Sequence, residues 1–184
     1  MSGSAGAVAD RWFAFLRAIN TGSRRLTNDQ LLAPFVGMGL ADVAAYQAAG
    51  NVAFTSTTPP DEQLVEEVLA AAYGFPTPTF VRSAAEVAGI AGAEPFTAAE
   101  IAGTAGRVQV AFLRREPAAE TIAELADLVP ENDLVRVVGR EWYWLPTDGI
   151  SGSALPVTRI EALLGEMTIR TLGTVARMWA KLGA

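Results

Sequence analysis

Arg17 ends an apolar, aromatic run, Trp12-Phe13-Ala14-Phe15-Leu16, and the chain soon turns polar: Asn20, Thr21, Gly22, Ser23, Arg24, Arg25. A guanidinium placed there has the chemistry of an anion clamp, a planar fork of donors matched to a phosphate or a carboxylate. Asn20, and Asn51 from the segment Gly50-Asn51-Val52, would add amide donors. The turn Thr21-Gly22-Ser23 could present backbone N–H groups, with Arg24 and Arg25 at its rim. A second arginine, Arg170, precedes a helical pattern with Thr171 and Thr174 near its start, and a helix N-terminus attracts anions. Tyr46 and Asp148 are the groups able to move a proton beside these arginines. Asp148-Gly149, followed by Ser151 and Ser153, has the small polar composition of a ligand loop and equally of an ordinary turn. The Arg17 cluster has a plain structural counterpart. Arg17 would bond carbonyls of a neighbouring turn, Asn20 would close its own loop, and Gly50 and Asn51 would supply positive φ. The residue types alone favour that structural reading, since nothing in the pattern is specific to one ligand. Thr171, likewise, has the composition of a simple helix cap.

Composition removes much other chemistry. Among 184 residues there is no histidine and no cysteine. This excludes disulfides, thiolate nucleophiles, imidazole bases and zinc sites built on either residue. No P-loop, glycine-rich dinucleotide fingerprint or metal-spaced carboxylate set is present, so no cofactor and no metal is expected. The net charge of −6 and isoelectric point near 4.7 argue against a nucleic-acid partner, which usually calls for a basic face. Trp142 and Trp144 alternate with Tyr143 and suggest a base-stacking sheet, but the signature of RNA-recognition modules is missing and a core role is favoured. The acidic pairs Asp61-Glu62 and Glu66-Glu67 read as a solvated helix face. No apolar run approaches membrane-spanning length and no signal pattern opens the chain, so the expected compartment is the cytoplasm.

The elements that must position these groups follow a repeated order. The run from Arg11 to Ile19 reads as a central strand. Thr27 and Gln30 have capping-box spacing for a helix ending at Gly37 or Gly39, although Pro34 interrupts it. The segments Asp42–Gln47 and Asn51–Ser56 flank Ala48-Ala49-Gly50 as a hairpin. A helix from the Pro59-Pro60 region to Gly74, a short strand at Thr77–Arg82 and a helix boxed by Ser83 and Glu86 follow. The second half repeats strand, helix, hairpin, helix, strand, then closes with a helix. Both halves carry Ala-Phe-Leu-Arg in the first strand, at Ala14–Arg17 and Ala111–Arg114. The expectation is an α+β chain of two tandem ferredoxin-like (βαββαβ) subdomains with extra short helices and a C-terminal helix. Residues 1–9 form a flexible N-terminus, 10–90 the first subdomain, 91–106 a linker and 107–184 the second subdomain with the closing helix. In a ferredoxin-like sheet the first strand runs antiparallel beside the third, which places Arg17 and Asn20 next to Gly50 and Asn51.

Several ordered motifs carry a resemblance. They are Leu16-Arg17-Ala18-Ile19-Asn20 with its glycine turn, Ala45-Tyr46-Gln47-Ala48-Ala49-Gly50-Asn51-Val52, Val81 to Val87, Asp148-Gly149 with Ser153, and Thr168 to Val175. Over roughly residues 10 to 184 the chain resembles the bacterial family known as domain of unknown function 1697. Members of that family read Leu-Arg-Gly-Ile-Asn at the first motif and Gln-Ser-Gly-Asn-Val at the second. The resemblance implies two α+β subdomains and no assigned activity. This chain departs from the family at Ala48-Ala49, at Thr171-Leu172 and at Glu94; if the family's polar residues there serve a chemistry, this member has lost much of it. The leading expectation is a binding module for a small anionic ligand or a protein partner, using Arg17, Asn20, Asn51 and Arg170. The alternative is an enzyme on a phosphorylated or carboxylated substrate, with Tyr46 or Asp148 moving protons. The sequence does not define the oligomeric state.

Overall fold

The computed structural model describes residues 9–22, 24–47 and 49–183. Residues 1–8 of the expected flexible N-terminus, Ser23 of the polar turn and Ala48 of the hairpin bend lie outside the described residues. The chain divides into two units, Met1–Val87 with Lys181–Ala184, and Ala88–Ala180.

In the first unit the order is β1 (Asp10–Leu16), α1 (Asn28–Gly37), β2 (Ala41–Ala45), β3 (Asn51–Ser56), α2 (Glu62–Tyr73) and β4 (Thr79–Ser83). The strands form one antiparallel sheet in the order β2-β3-β1-β4, the ferredoxin-like arrangement. The α1 helix starts where it does because Thr27 and Gln30 form a capping box: Gln30 N donates to Thr27 Oγ1 at 3.2 Å and Thr27 N to Gln30 Oε1 at 2.9 Å. It runs through Pro34 without ending. Asp61 caps α2 by accepting from Gln63 N, and Gly74 stops it at φ 77°. Pattern alternation along the strands sends Ala14, Leu16, Val52, Phe54 and Val81 into a core closed by Leu31 and Phe35 of α1 and Val65 and Leu69 of α2. Each of the larger side chains among them contributes about 1.5–3 kcal/mol when fully buried.

The acidic face of α2 differs from the expected solvated one. Glu66 Oε1 accepts from Thr79 N at 2.6 Å and Glu62 Oε1 from Val81 N at 2.7 Å. Ser83 N donates to Glu86 at 2.8 Å. These are the outward N–H groups of β4, an edge strand, so carboxylates occupy donors that would otherwise template another strand. Glu62 also lies 3.9 Å from the guanidinium of the fully buried Arg82. Glu62→Ala is therefore expected to cost about 2–3 kcal/mol, the range of a hydrogen bond to a charged group. Urea unfolding of the variant checks this, and a loss below about 0.5 kcal/mol would mean the edge needs no carboxylate.

β4 runs into α3 (Ala84–Ala91), and α4 (Ala98–Ala102) follows within the stretch expected to be a linker, headed by a second capping box of Thr97 and Glu100. The second unit then repeats the first: β5 (Gln109–Leu113), α5 (Ala119–Leu128), β6 (Leu134–Val138), β7 (Glu141–Leu145), α6 (Val157–Leu164), β8 (Met167–Thr171) and α7 (Leu172–Leu182), whose last residues belong to the first unit. Its sheet order is β6-β7-β5-β8, again antiparallel. The shared Ala-Phe-Leu-Arg falls in equivalent register. Ala14 faces Val81 and Ala111 faces Ile169. Leu16 N bonds Gly50 O, and Leu113 N bonds Arg140 O. Both halves also end in an Arg–Ser/Thr pair that caps the next helix, Arg82-Ser83 with Glu86 and Arg170-Thr171 with Thr174. Trp142 and Trp144 stack at 6.3 Å and 11° in the core of the second unit, as the packing reading requires.

Two phenols give the fold an alkaline limit. Tyr73 donates to Leu31 O at 2.6 Å, tying α2 to α1, and burial pushes its pKa well above the usual value. Burial, and after it the Glu141 carboxylate, raise Tyr143 to about 12. A phenol whose folded pKa exceeds its unfolded value near 10 contributes stability that is complete below pH 10 and lost as pH rises through the folded pKa. The expected result is a steep fall in melting temperature from pH 10 toward 12 that is shallower in Tyr73→Phe and Tyr143→Phe. Superimposable pH profiles for wild type and variants would refute it. Among the described residues no helix is long and apolar enough to cross a membrane.

Candidate functional site

The loop that leaves β1 is built on left-handed backbone. Ala18, Asn20 and Gly22 have φ of 59°, 55° and 58°. Glycine adopts such values freely and asparagine comparatively often, so Ala18 is the residue that marks a backbone held by its surroundings. The holding contacts are local. Leu26 N donates to Asn20 Oδ1 at 2.6 Å and Asn20 Nδ2 donates back to Leu26 O at 3.3 Å. Arg25 Nη1 donates to Asn20 O at 2.8 Å and to Arg24 O at 3.0 Å. The Arg24 guanidinium lies over the Phe75 ring, 4.5 Å from its centroid. Arg17 is half-buried, and its N–H donates to Pro78 O at 2.8 Å, so Arg17 and Arg24 both meet the 75–78 segment.

Asn51 enters the same end of the sheet because Phe15 pairs with Asn51 across β1 and β3. Its side chain is fully buried and Nδ2 donates to Tyr46 O at 3.1 Å, while Tyr46 N donates to Asn51 O at 2.8 Å. The fold thus gathers Arg17, Asn20, Tyr46 and Asn51 on the first unit. Both asparagine amides have backbone partners inside the loop and hairpin. Ala18 stands where the resembling family reads glycine. Ala18→Gly is expected to relieve left-handed strain of about 1–2 kcal/mol, less the roughly 0.5–1 kcal/mol entropy cost of glycine, for a net gain of about 0.5–1 kcal/mol in urea unfolding. A loss of stability would show that the backbone there is unstrained.

Asp148, Ser153 and Arg170 belong to the second unit. Ser153 and Arg170 line one cavity of about 410 Å³. Arg170 Nη1 donates to Thr168 Oγ1 at 2.8 Å and to Ile169 O at 2.9 Å, and burial lowers the pKa of its guanidinium to about 10. Thr168 and Arg170 are two apart on β8 and share a face, which is opposite to that of Ile169 and Thr171. Ser153 is held by Asp133, to which its hydroxyl donates through a short hydrogen bond, and it accepts from Leu155 N at 3.0 Å.

Two residues of this region escaped the sequence reading. Asp133 is 7 % exposed and also accepts from Trp144 Nε1 at 2.9 Å and Thr147 N at 3.1 Å. Gln109, 3 % exposed, sits in β5 facing Trp144 on one side and Thr171 on the other. An amide within the apolar run Val108–Leu113 is the signal that could have marked it. Among the described residues no group of three or more acidic side chains forms a metal-binding cluster.

The family described as Protein of unknown function (DUF1697) matches over residues 10–143. A solved structure described as that of the conserved bacterial protein SP0830 from Streptococcus pneumoniae is similar in fold, with a TM-score of 0.64 and 23% identity over 96% of this chain and 98% of that one. No curated protein matches the chain.

Proposed function

From the chain's place in the family Protein of unknown function (DUF1697), to which it belongs, we propose that it is a binding module for a small anionic ligand, seated at the loop that leaves β1. The observation that carries this reading is the loop itself. Within a chain of net charge −6 it places Arg17, Arg24 and Arg25 on either side of the left-handed positions Ala18, Asn20 and Gly22, with Arg17 and Arg24 meeting the 75–78 segment. Fixed guanidinium groups bind phosphate or carboxylate without having to be ordered first. Left-handed residues alternating with others along a loop can also aim successive backbone N–H groups toward a common concavity. Asn20 contributes as the brace of the loop through Leu26 and Arg25, and Asn51 as the brace of the facing hairpin.

Thermal shift at low salt tests this with sulfate, sugar phosphates, nucleotides and carboxylates against wild type and Arg17→Ala. A ligand at one hundred times its dissociation constant stabilises by about 2.7 kcal/mol. For a chain of this size that raises the melting temperature by roughly 5–10 °C. The shift is expected in wild type and lost in Arg17→Ala and Arg24→Ala. An equal shift in all three proteins, or none in any, would overturn the assignment.

A further inference from the structure

The cavity of the second unit has its own chemistry, distinct from the arginine loop. Its volume of about 410 Å³ is within the range of small-molecule sites. Trp144, Leu155 and Ile169 form apolar walls, and Ile150 and Val157 stand at its rim with 56% and 37% of their surface exposed. The walls are fixed in advance, because Asp133 ties Trp144, Thr147 and Ser153 together and so pins the loop that carries Ile150 and Leu155.

At this cavity lies a nearly buried amide with unused capacity. Gln109 Nε2 donates to Arg107 O at 2.7 Å, which fixes the orientation of the amide. Among the described residues, Gln109 Oε1 accepts no hydrogen bond. That oxygen is not among the fully buried unpartnered atoms, so it keeps accessible surface at the cavity, where a donor could meet it. Other polar groups at the cavity are committed: Ser153 to Asp133, and Thr171 to Thr174. Arg170 reaches the cavity along β8, but its guanidinium follows Thr168 to the other face of the sheet, and among the described residues that line the hollow no other side chain is charged.

We propose that this cavity is a binding site for a neutral, flat apolar molecule carrying one N–H or O–H donor, with the ring against Trp144 and the donor on Gln109 Oε1. Charged ligands are disfavoured there, since an ion would lose its hydration with no counter-charge to replace it.

Indole and benzofuran have nearly the same shape and differ in the N–H. Titrating each into the isotopically labelled full chain, followed by amide chemical shifts, reads the site directly. The expected result is shifts confined to residues around Trp144, Leu155 and Ile169, with indole bound on the order of tenfold more tightly than benzofuran. Gln109→Leu should bring the two affinities together, and Val157→Trp, at the exposed rim, should block both. Arg17→Ala should bind indole as wild type does, which separates this site from the anion loop. No shifts with either probe, equal affinities in wild type, or tighter binding of indole-3-carboxylate than of indole would overturn the proposal. Should Gln109→Leu fail to fold, the wild-type ratio and Val157→Trp still decide.

Discussion

Replacing Asp133 by alanine is expected to destabilise the second unit by about 3–5 kcal/mol, among the largest losses for any single side chain of that unit. The carboxylate is 7 % exposed and accepts from an indole N–H, a backbone N–H and a hydroxyl. Hydrogen bonds to a charged group contribute roughly 1.5–3 kcal/mol each, and bonds sharing one acceptor group are not additive, so the sum falls below three times that figure. Removal also leaves Trp144 Nε1 without an acceptor inside the core. The loop that Asp133 holds delivers Leu155 to that core, so apolar burial is lost with the polar contacts. Asp133→Asn should cost about half as much. Its remaining carbonyl oxygen can still accept from Thr147 N, while its NH₂ cannot accept from Trp144 or Ser153. Urea unfolding followed by tryptophan fluorescence reads both variants. A loss below about 1 kcal/mol for Asp133→Ala would mean that solvent replaces the carboxylate and the loop is not pinned by it.

Local signals carried most of the fold. Thr27 with Gln30, and Ser83 with Glu86, are spaced three apart, so their capping is visible in a short window of sequence. The matching order of elements in the two halves marks the duplication better than the shared Ala-Phe-Leu-Arg does, and pairing of β1 with β3 brings Arg17, Asn20 and Asn51 to one end of a sheet as the topology requires. Thr97 and Glu100 have the same box spacing, but the small residues around them have the composition of a linker, which masks the helix they head. Partners distant in the chain were not legible. Glu62 and Glu66 sit on a helix whose periodicity says only that they avoid the α2 core. That they reach Val81 N and Thr79 N depends on which edge of the sheet the helix lies beside. Asp133 gathers Trp144, Thr147 and Ser153 from a hairpin and a loop, and no spacing rule connects them. The candidate site shows the same limit. The sequence places two asparagines near an arginine, but whether an amide turns to a ligand or to a backbone carbonyl is decided by atoms such as Leu26 O and Tyr46 O, which are fixed by the loop path.

Gly50→Ala is expected to cost about 2–4 kcal/mol, with a fall in melting temperature of roughly 5–15 °C. Two effects combine at this position. Gly50 has φ 72°, where an L side chain costs about 1–2 kcal/mol. A Cβ there would also stand 3.0 Å from Leu16 O, Leu16 Cβ and Ile19 Cγ1, and none of these can retreat freely. Leu16 and Ile19 are buried, and Leu16 N is itself bonded to Gly50 O at 2.7 Å. Crowding in a packed region adds about 1–3 kcal/mol, offset in part by the smaller entropy of the unfolded alanine chain. Gly74→Ala separates the two effects. Gly74 has φ 77° at the end of α2, but an added Cβ meets nothing within 4 Å, so only the strain of about 1–2 kcal/mol should appear. The difference between the two variants measures how tightly the β1 exit is packed against the hairpin. If Gly50→Ala costs no more than Gly74→Ala, the junction of β1 and β3 is loose enough to shift, and the loop carrying Arg17, Arg24 and Arg25 is not held in the fixed form that anion binding there requires. If it costs markedly more, the loop leaves the sheet from a rigid seat.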